Sequence, residues 1–125
     1  MKLEHWYVFI ILSLLFFTYL TAQENTTGTI KGTVVDDANK KPIEFVNVVL
    51  HKKSDSTIVT GKVTDKTGIV SLTDILNGEY FVTFSLIGYK EHKTASFPID
   101  ATHKHLNLGE VRLVATEVSL DEVII

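Results

Sequence analysis

Apolar and polar positions alternate in short runs along the chain from residue 28 onward. The runs are rich in β-branched and aromatic residues, and turn-forming residues interrupt them about every 8–12 positions, as in β-sandwiches. No stretch of this region keeps a helical period. The pattern predicts seven strands, over residues 28–36, 43–52, 57–64, 69–72, 80–86, 94–98 and 106–113. Seven strands need two packed sheets to bury their faces, so we expect an all-β, seven-stranded Greek-key sandwich.

Three local signals refine this picture. Asn77-Gly78 predicts a type I′ hairpin, because both residues tolerate positive φ. Residues 65–68 (Asp-Lys-Thr-Gly) fit a type I turn that ends in glycine. The apolar phase changes at Gly109, which predicts a β-bulge. The alternation also predicts the inward-facing residues of two strands, namely Val46, Val48 and Leu50, and Tyr80, Val82, Phe84 and Leu86.

The N-terminus carries a different pattern. Met1-Lys2 is followed by a nearly unbroken apolar run over residues 6–20, and a small residue, Ala22, stands where a signal peptidase would cut. The run of about 15 residues is shorter than the roughly 20 that cross a bilayer, which disfavours the alternative of an uncleaved membrane anchor. Residues 1–22 are therefore predicted to be a helical signal peptide, and the protein to be exported.

Composition narrows the function. The 125 residues carry a formal net charge of −3, and removing Lys2 and Glu4 with the signal peptide leaves that value unchanged. Mild acidity gives no electrostatic argument for nucleic acid as a partner. The chain has no cysteine, so its core must hold the fold without disulfides, which suits a periplasmic domain.

Several short motifs follow one another in a recognisable order. They are Gly28-x-Ile30-x-Gly32-x-Val34, Pro42-Ile43, Val46-Asn47-Val48, Gly61-x-Val63-Thr64-Asp65-x-x-Gly68, Gly78-x-Tyr80 and Ser85-Leu86-Ile87-Gly88-Tyr89. Together they resemble the carboxypeptidase regulatory-like domain, a transthyretin-like β-sandwich. The resemblance implies structural roles for these residues: Asp65 accepts hydrogen bonds in its turn, Gly68 takes a left-handed conformation, and the Tyr89 hydroxyl finds a partner.

The resemblance also implies a context. Such domains form the periplasmic N-terminal part of many TonB-dependent outer-membrane receptors of Bacteroidetes, where a Leu-Asp-Glu-Val-Val-Val segment leads into the plug. We thus expect a sandwich over residues 27–113 and a linker over 114–125. The linker ends in a similar segment, Leu120, Asp121, Glu122, Val123, Ile124 and Ile125. This segment is predicted either to dock on TonB by strand addition or to begin an adjoining plug.

The length sets a limit on that context. A barrel of about 22 strands of about 10 residues each cannot be encoded in 125 residues. The chain alone is therefore expected not to transport anything, and to be a fragment, a truncated form or a free-standing module associated with the periplasmic side of the outer membrane.

Candidate chemistry is sparse. His103 and His105, with Asp100 nearby, could share one face of a strand and hold a metal, but a solvated loop before the last strand is the favoured interpretation. There is no Gly-x-Ser-x-Gly elbow and no His-x-x-Glu zinc pair. We predict no catalytic residue, cofactor or metal. Two alternatives stay open: a free-standing secreted module that binds a glycan or a protein, and a small transthyretin-like hydrolase that uses His103 or His105.

Overall fold

The computed structural model describes residues 4–17 and 27–116. The first range is a helix, α1 (Glu4–Phe17), which lies within the predicted signal peptide. Its side chains from His5 to Leu14 are all exposed. None of the helical residues described here forms a helix with both the length and the apolar character needed to span a bilayer. Cleavage after Ala22 and export stay predictions.

The second range folds into two sheets. Its strands are β1 (Gly28–Asp36), β2 (Asn47–Lys52), β3 (Ile58–Val63), β4 (Ile69–Ile75), β5 (Gly78–Ser85), β6 (His92–Lys93), β7 (Phe97–Ile99) and β8 (His105–Leu113). A three-stranded sheet has the order β4-β1-β8, and a five-stranded sheet has the order β3-β2-β5-β6, with β7 also paired to β5. The predicted all-β sandwich is confirmed.

The strand count differs from the prediction, because residues 94–98 do not form one strand. Within residues 27–116 there are eight strands, and β6 and β7 pair with separate stretches of β5. Thr94 lies between them, and its side-chain oxygen accepts the Val82 backbone N–H at 3.0 Å. A side chain thus replaces a backbone carbonyl in the ladder, and the strand is interrupted there.

The Asn77-Gly78 prediction was wrong. Neither residue has positive φ, and the residue that does in this region is Asp74, with φ of 59°. β4 pairs with β1 in one sheet, whereas β5 pairs with β2 in the other. The connection is therefore a crossing between sheets. A hairpin would have put β4 and β5 in the same sheet. Instead, the two strands cover the core from opposite sides, each with its apolar face turned inward.

The bulge at Gly109 is confirmed. β1 and β8 are parallel, and Lys31 pairs with Asn107 while Thr33 pairs with Glu110. Two residues of β8 therefore lie opposite the single residue Gly32. Gly109 takes the left-handed conformation, with φ of 70°, that glycine adopts without strain.

The core lies between the sheets and contains the predicted faces. Val46, Val48 and Leu50, and Tyr80, Val82 and Phe84, are buried, while Leu86 is partly buried against them. The other sheet contributes Ile30, Val34, Val70, Leu72, Val111 and Leu113. Each such side chain stabilises the fold by about 1.5–3 kcal/mol when fully buried.

The parallel pairing of the first and last strands separates the two ends of the domain. Thr29 pairs with His105 and Asp36 with Leu113, so both strands run the same way along the sandwich. The chain therefore enters at one end and leaves at the other. At about 3.3 Å per residue, β1 alone spans roughly 26 Å.

Candidate docking site

The predicted docking residues, Leu120, Asp121, Glu122, Val123, Ile124 and Ile125, lie outside the described residues. The structure does show where the chain leaves the sandwich. Lys90 N–H donates to the Val114 carbonyl at 2.8 Å, and Thr116 N–H donates to the Gly88 carbonyl at 2.8 Å. Tyr89 and Ala115 form an antiparallel bridge between these two bonds. The first three residues of the predicted linker are therefore paired to the domain.

The partner of this short ladder is the turn over residues 86–89. Tyr89 N–H donates to the Leu86 carbonyl at 3.0 Å, and Gly88 has φ of 95° at the third position, where tight turns of this kind favour glycine. Ile87 occupies the second position and is 100% exposed. The turn thus holds an aliphatic side chain in solvent beside the departing chain.

Tyr89 fixes this turn to the sandwich. Its hydroxyl donates to Asp36 Oδ2 at 2.8 Å, at the end of β1, as the resemblance implied that it would find a partner. The hydrogen bond from Tyr89 is the main cause that lowers the pKa of Asp36, and the same bond raises the pKa of Tyr89. Both directions express one preference, for a protonated phenol beside an ionised carboxylate.

A second turn, over residues 43–46, lies at the same end. The prediction placed these residues in a strand, but β2 begins only at Asn47. Phe45 has φ of 66°, which ends the extended conformation, and its side chain is 65% exposed. A bulky residue in the left-handed region is a true outlier, with a conformational cost on the order of 1–3 kcal/mol.

Thr64 holds this turn in place. Its buried hydroxyl donates to the Ile43 carbonyl at 2.6 Å and accepts the Val46 N–H at 2.9 Å. Its backbone carbonyl accepts the Phe45 N–H at 3.0 Å, and its N–H donates to the Val46 carbonyl at 3.1 Å. Four hydrogen bonds from one residue therefore impose the strained conformation.

The two turns line one shallow depression. We call this region the exit surface and define it by Phe45, Asn47, Ser85, Leu86, Ile87, Tyr89 and Glu91. Asn47 and Ser85 pair across β2 and β5 at its floor.

The sequence analysis did not predict that Phe45 and Ile87 belong to this surface. It placed Phe45 within an alternating strand and Ile87 at the end of another strand. The useful signal was an apolar residue next to a turn former, as in Ile87-Gly88.

The predicted solvated loop before the last strand is confirmed. Asp100 Oδ1 accepts the backbone N–H groups of Thr102 and His103, at 3.0 and 2.9 Å, and so caps an exposed turn. His103 Nδ1 lies 2.9 Å from the same oxygen. The pKa of Asp100 is lowered to about 2, mainly by the hydrogen bond with the His103 side chain and next by the one with the Thr102 hydroxyl. His105 begins β8 and is exposed. Across residues 4–17 and 27–116, no three His, Asp or Glu residues could hold a metal together.

The class of protein follows from the fold, which is a β-sandwich of two sheets. It contains antiparallel hairpins, and its first and last strands pair in parallel. The sequence profile of the carboxypeptidase regulatory-like domain matches residues 29–114, which is more than half of the chain. The chain belongs to this family, as its motifs indicated. No curated protein matches the chain in sequence.

Solved structures support the fold. The major pilin subunit BcpA of Bacillus cereus is 21% identical with a TM-score of 0.61, and the match covers 73% of this chain and 31% of the pilin. The shaft pilin SpaA of Lactobacillus rhamnosus GG is 16% identical with a TM-score of 0.57, covering 77% and 50%. The 5-hydroxyisourate hydrolase of Klebsiella pneumoniae is 19% identical with a TM-score of 0.52, covering 70% and 87%. The chain thus spans less than a third of BcpA, and likeness at this identity concerns the fold alone.

Proposed function

We propose that this chain is an exported, non-catalytic module that works as a spacer and docking domain on the periplasmic side of the outer membrane. It is the N-terminal part of a TonB-dependent receptor-like protein, as a fragment or a truncated form. Its family membership and the resemblance of residues 120–125 to the segment that precedes the receptor plug support this proposal.

The observation that carries the spacer role is the parallel pairing of β1 and β8. It separates the point where the chain enters the domain from the point where it leaves, by roughly 26 Å along β1. One protein with a similar fold is a shaft pilin. A spacer of this kind keeps the polypeptide segments on its two sides at a fixed distance from each other.

The docking role belongs to the segment Leu120, Asp121, Glu122, Val123, Ile124 and Ile125. Its apolar, β-branched residues suit strand addition to the sheet edge of a partner, through backbone hydrogen bonds. The partner is the periplasmic domain of TonB or, in a longer protein, the adjoining plug. Because Thr116 is bonded to Gly88, the segment starts from a fixed point at the exit end.

Calorimetric titration tests the docking role. The full chain is titrated with a purified TonB periplasmic domain, beside a variant that lacks residues 120–125. We expect measurable affinity for the full chain and none for the deletion variant. Failure of both to bind removes TonB as the partner, and equal affinity of both shows that the segment is not the docking element.

A free-standing binding module is the second candidate, and one observation favours it. Phe45 is 65% exposed and Ile87 100% exposed, on one surface, as in a site for a protein or a glycan. This candidate requires that affinity for such a ligand survives deletion of residues 120–125. It also requires that a Phe45→Ala variant loses the affinity.

The hydrolase alternative rests on a likeness of fold to one enzyme. His103 and Asp100 form a hydrogen-bonded pair, but in an exposed turn where Asp100 is occupied in capping the backbone. If the chain hydrolyses a substrate through His103 or His105, the His103→Ala, His105→Ala double variant loses that activity. Unchanged activity in this variant dismisses the histidines.

A further inference from the structure

We propose that the domain is a force-bearing link, in which the hydrogen-bonded ladder between β1 and β8 resists tension between the two ends of the chain. The inference deepens the spacer role and rests on it only for the presence of polypeptide on both sides of the domain. Its physical basis is the direction of the two strands relative to the load, the register of their pairing and the burial of their side chains.

The first and last strands lie in the geometry that loads their hydrogen bonds together. β1 and β8 are parallel and directly paired, from Thr29 and His105 at the entry end to Asp36 and Leu113 at the exit end. Tension on the two chain ends pulls β1 toward the entry end and β8 toward the exit end. Because the hydrogen bonds run between the strands, this load shears the whole ladder at once and does not open it bond by bond.

Hydrogen bonds close the ladder at both of its ends. Thr29 N–H donates to the Lys104 carbonyl at 2.7 Å at the entry end, and Asp37 N–H donates to the Leu113 carbonyl at 2.9 Å at the exit end. Beyond β8, two further backbone bonds hold residues 114–116 to the turn that contains Gly88. Since both ends are tied, a strand end does not peel away before the ladder bears the load.

The register of the ladder leaves β8 no neighbouring position into which it can slide. A shift by one residue would turn the buried set of side chains of a strand toward solvent. This set includes Ile30 and Val34 on β1, and Val111 and Leu113 on β8. The bulge at Gly109 adds a second restraint, because it matches two residues of β8 to one residue of β1 at a single place. Sliding therefore breaks the ladder and withdraws apolar side chains from the core in the same step.

The strand β1 is also anchored on its other edge. It lies between β4 and β8, and it pairs with β4 from Gly28 and Ile75 to Thr33 and Ile69. A load on β1 is therefore shared with a strand that is not itself pulled. Among the described strands, β8 pairs with β1 alone. The β1–β8 ladder is thus the element that has to fail first when the domain unfolds under tension.

Single-molecule force measurements on the full chain test the ladder by changing the direction of the load. Pairs of introduced cysteines carry the handles, since the chain has no cysteine of its own. The Thr27→Cys, Thr116→Cys pair pulls at opposite ends of the ladder, whereas the Thr27→Cys, Ala101→Cys pair pulls at the entry end of both strands. All three positions are exposed.

The two pairs should differ in the force at which the domain unfolds. We expect this force, at one pulling speed, to be at least about twofold higher for the pair at opposite ends, because forced unfolding follows the unfolding rate and shear breaks many bonds together. Equal unfolding forces for the two pairs overturn the proposal.

Two valine variants, pulled at opposite ends, assign the resistance to the ladder. Val111→Ala and Val82→Ala remove the same atoms from buried positions, the first on β8 and the second on β5 of the other sheet. We expect Val111→Ala to lower the unfolding force by at least about a quarter and Val82→Ala to lower it by less than about a tenth, because only the first weakens contacts that break under load. Urea denaturation checks that both variants are folded. An equal or larger loss of force in Val82→Ala contradicts the proposal.

Failure of this proposal is distinguishable from failure of the spacer role. The spacer role requires a fixed separation of the two ends in the unloaded protein, which a distance measurement without force reports. Equal unfolding forces in a domain whose ends keep that separation overturn the force-bearing ladder alone.

Discussion

Among the turns that place a residue in the left-handed region, those of Gly68 and Phe45 differ in what determines their conformation. Gly68 has φ of 75° in the turn after β3, and Phe45 has φ of 66° in the turn before β2. Both turns are next to Thr64. This residue is hydrogen-bonded to the turn that contains Phe45, and the turn that contains Gly68 follows it directly in the chain. Glycine adopts this conformation at no steric cost, whereas phenylalanine does not. The first turn is thus set by its own sequence, and the second by its surroundings.

The glycine turn is locally complete. Gly68 N–H donates to the Asp65 carbonyl at 2.9 Å, and Asp65 Oδ1 accepts the Thr67 and Ile69 N–H groups at 2.9 and 3.0 Å. The roles that the resemblance implied for Asp65 and Gly68 are confirmed. The phenylalanine turn has no such local set of bonds and depends on Thr64, 19 positions further along the chain. The left-handed conformation of Phe45 is therefore imposed from a distance, against the local preference of phenylalanine.

Gly68→Ala should produce the largest effect. A Cβ here would collide with the Val34 carbonyl oxygen, in addition to the cost of the left-handed backbone. We expect a loss of about 3 kcal/mol in the free energy of unfolding, measured by urea denaturation. Gly88→Ala is the control, because its φ is 95° but a Cβ would meet nothing within 4 Å. It should lose only about 1–2 kcal/mol. Equal losses in both would mean that the Val34 contact has no influence.

Thr64→Val tests the support of the phenylalanine turn. The change keeps the shape of the side chain but leaves the Ile43 carbonyl and the Val46 N–H without their hydroxyl partner. Buried polar groups left unpaired cost about 1–3 kcal/mol, and we expect a loss in that range by urea denaturation. Thr60→Val in β3 should change stability by less than about 0.5 kcal/mol. A Thr64→Val variant as stable as the wild type would show that the turn does not need Thr64.

Phe45→Gly should stabilise the domain slightly. Relief of the left-handed strain outweighs the greater freedom of glycine in the unfolded chain, for a net gain of about 0.5 kcal/mol. Phe45→Ala keeps the strain and removes an exposed ring, so its stability should stay within about 0.5 kcal/mol of the wild type. A large loss of stability in Phe45→Gly would show that the ring is packed rather than presented.

The smallest effect concerns pH. The Thr67 hydroxyl is the main cause that lowers the pKa of Asp65 below its ordinary 3.8. A lowered pKa in the folded state stabilises the fold above the unfolded value, and this contribution is lost as the pH falls through the folded value. The stability difference between the wild type and Asp65→Asn should therefore shrink below about pH 4 in thermal unfolding. A difference that is constant from pH 7 to pH 2 would contradict the role of the ionised carboxylate.

The sequence predicted those features that local chemistry decides. The alternation of Val46, Val48 and Leu50 identified a buried face, and Gly109 identified the bulge. Asn77-Gly78 misled, because the same two residues can lead a chain from one sheet to the other, and only the partners of β4 and β5 decide which occurs. The exit surface could not be predicted, since it depends on Thr64 and Phe45 meeting in the folded domain.

The separation of the two ends of the domain is the feature on which the spacer role depends most. It can be measured with spin labels on Thr27→Cys and Thr116→Cys, since both residues are exposed and no other cysteine is present. The parallel pairing of β1 and β8 predicts a narrow distance distribution centred at roughly 25–35 Å by pulsed electron spin resonance. A distribution centred below roughly 15 Å, or one too broad to define a single separation, would contradict a rigid spacer that carries its C-terminal segment to the far end of the domain.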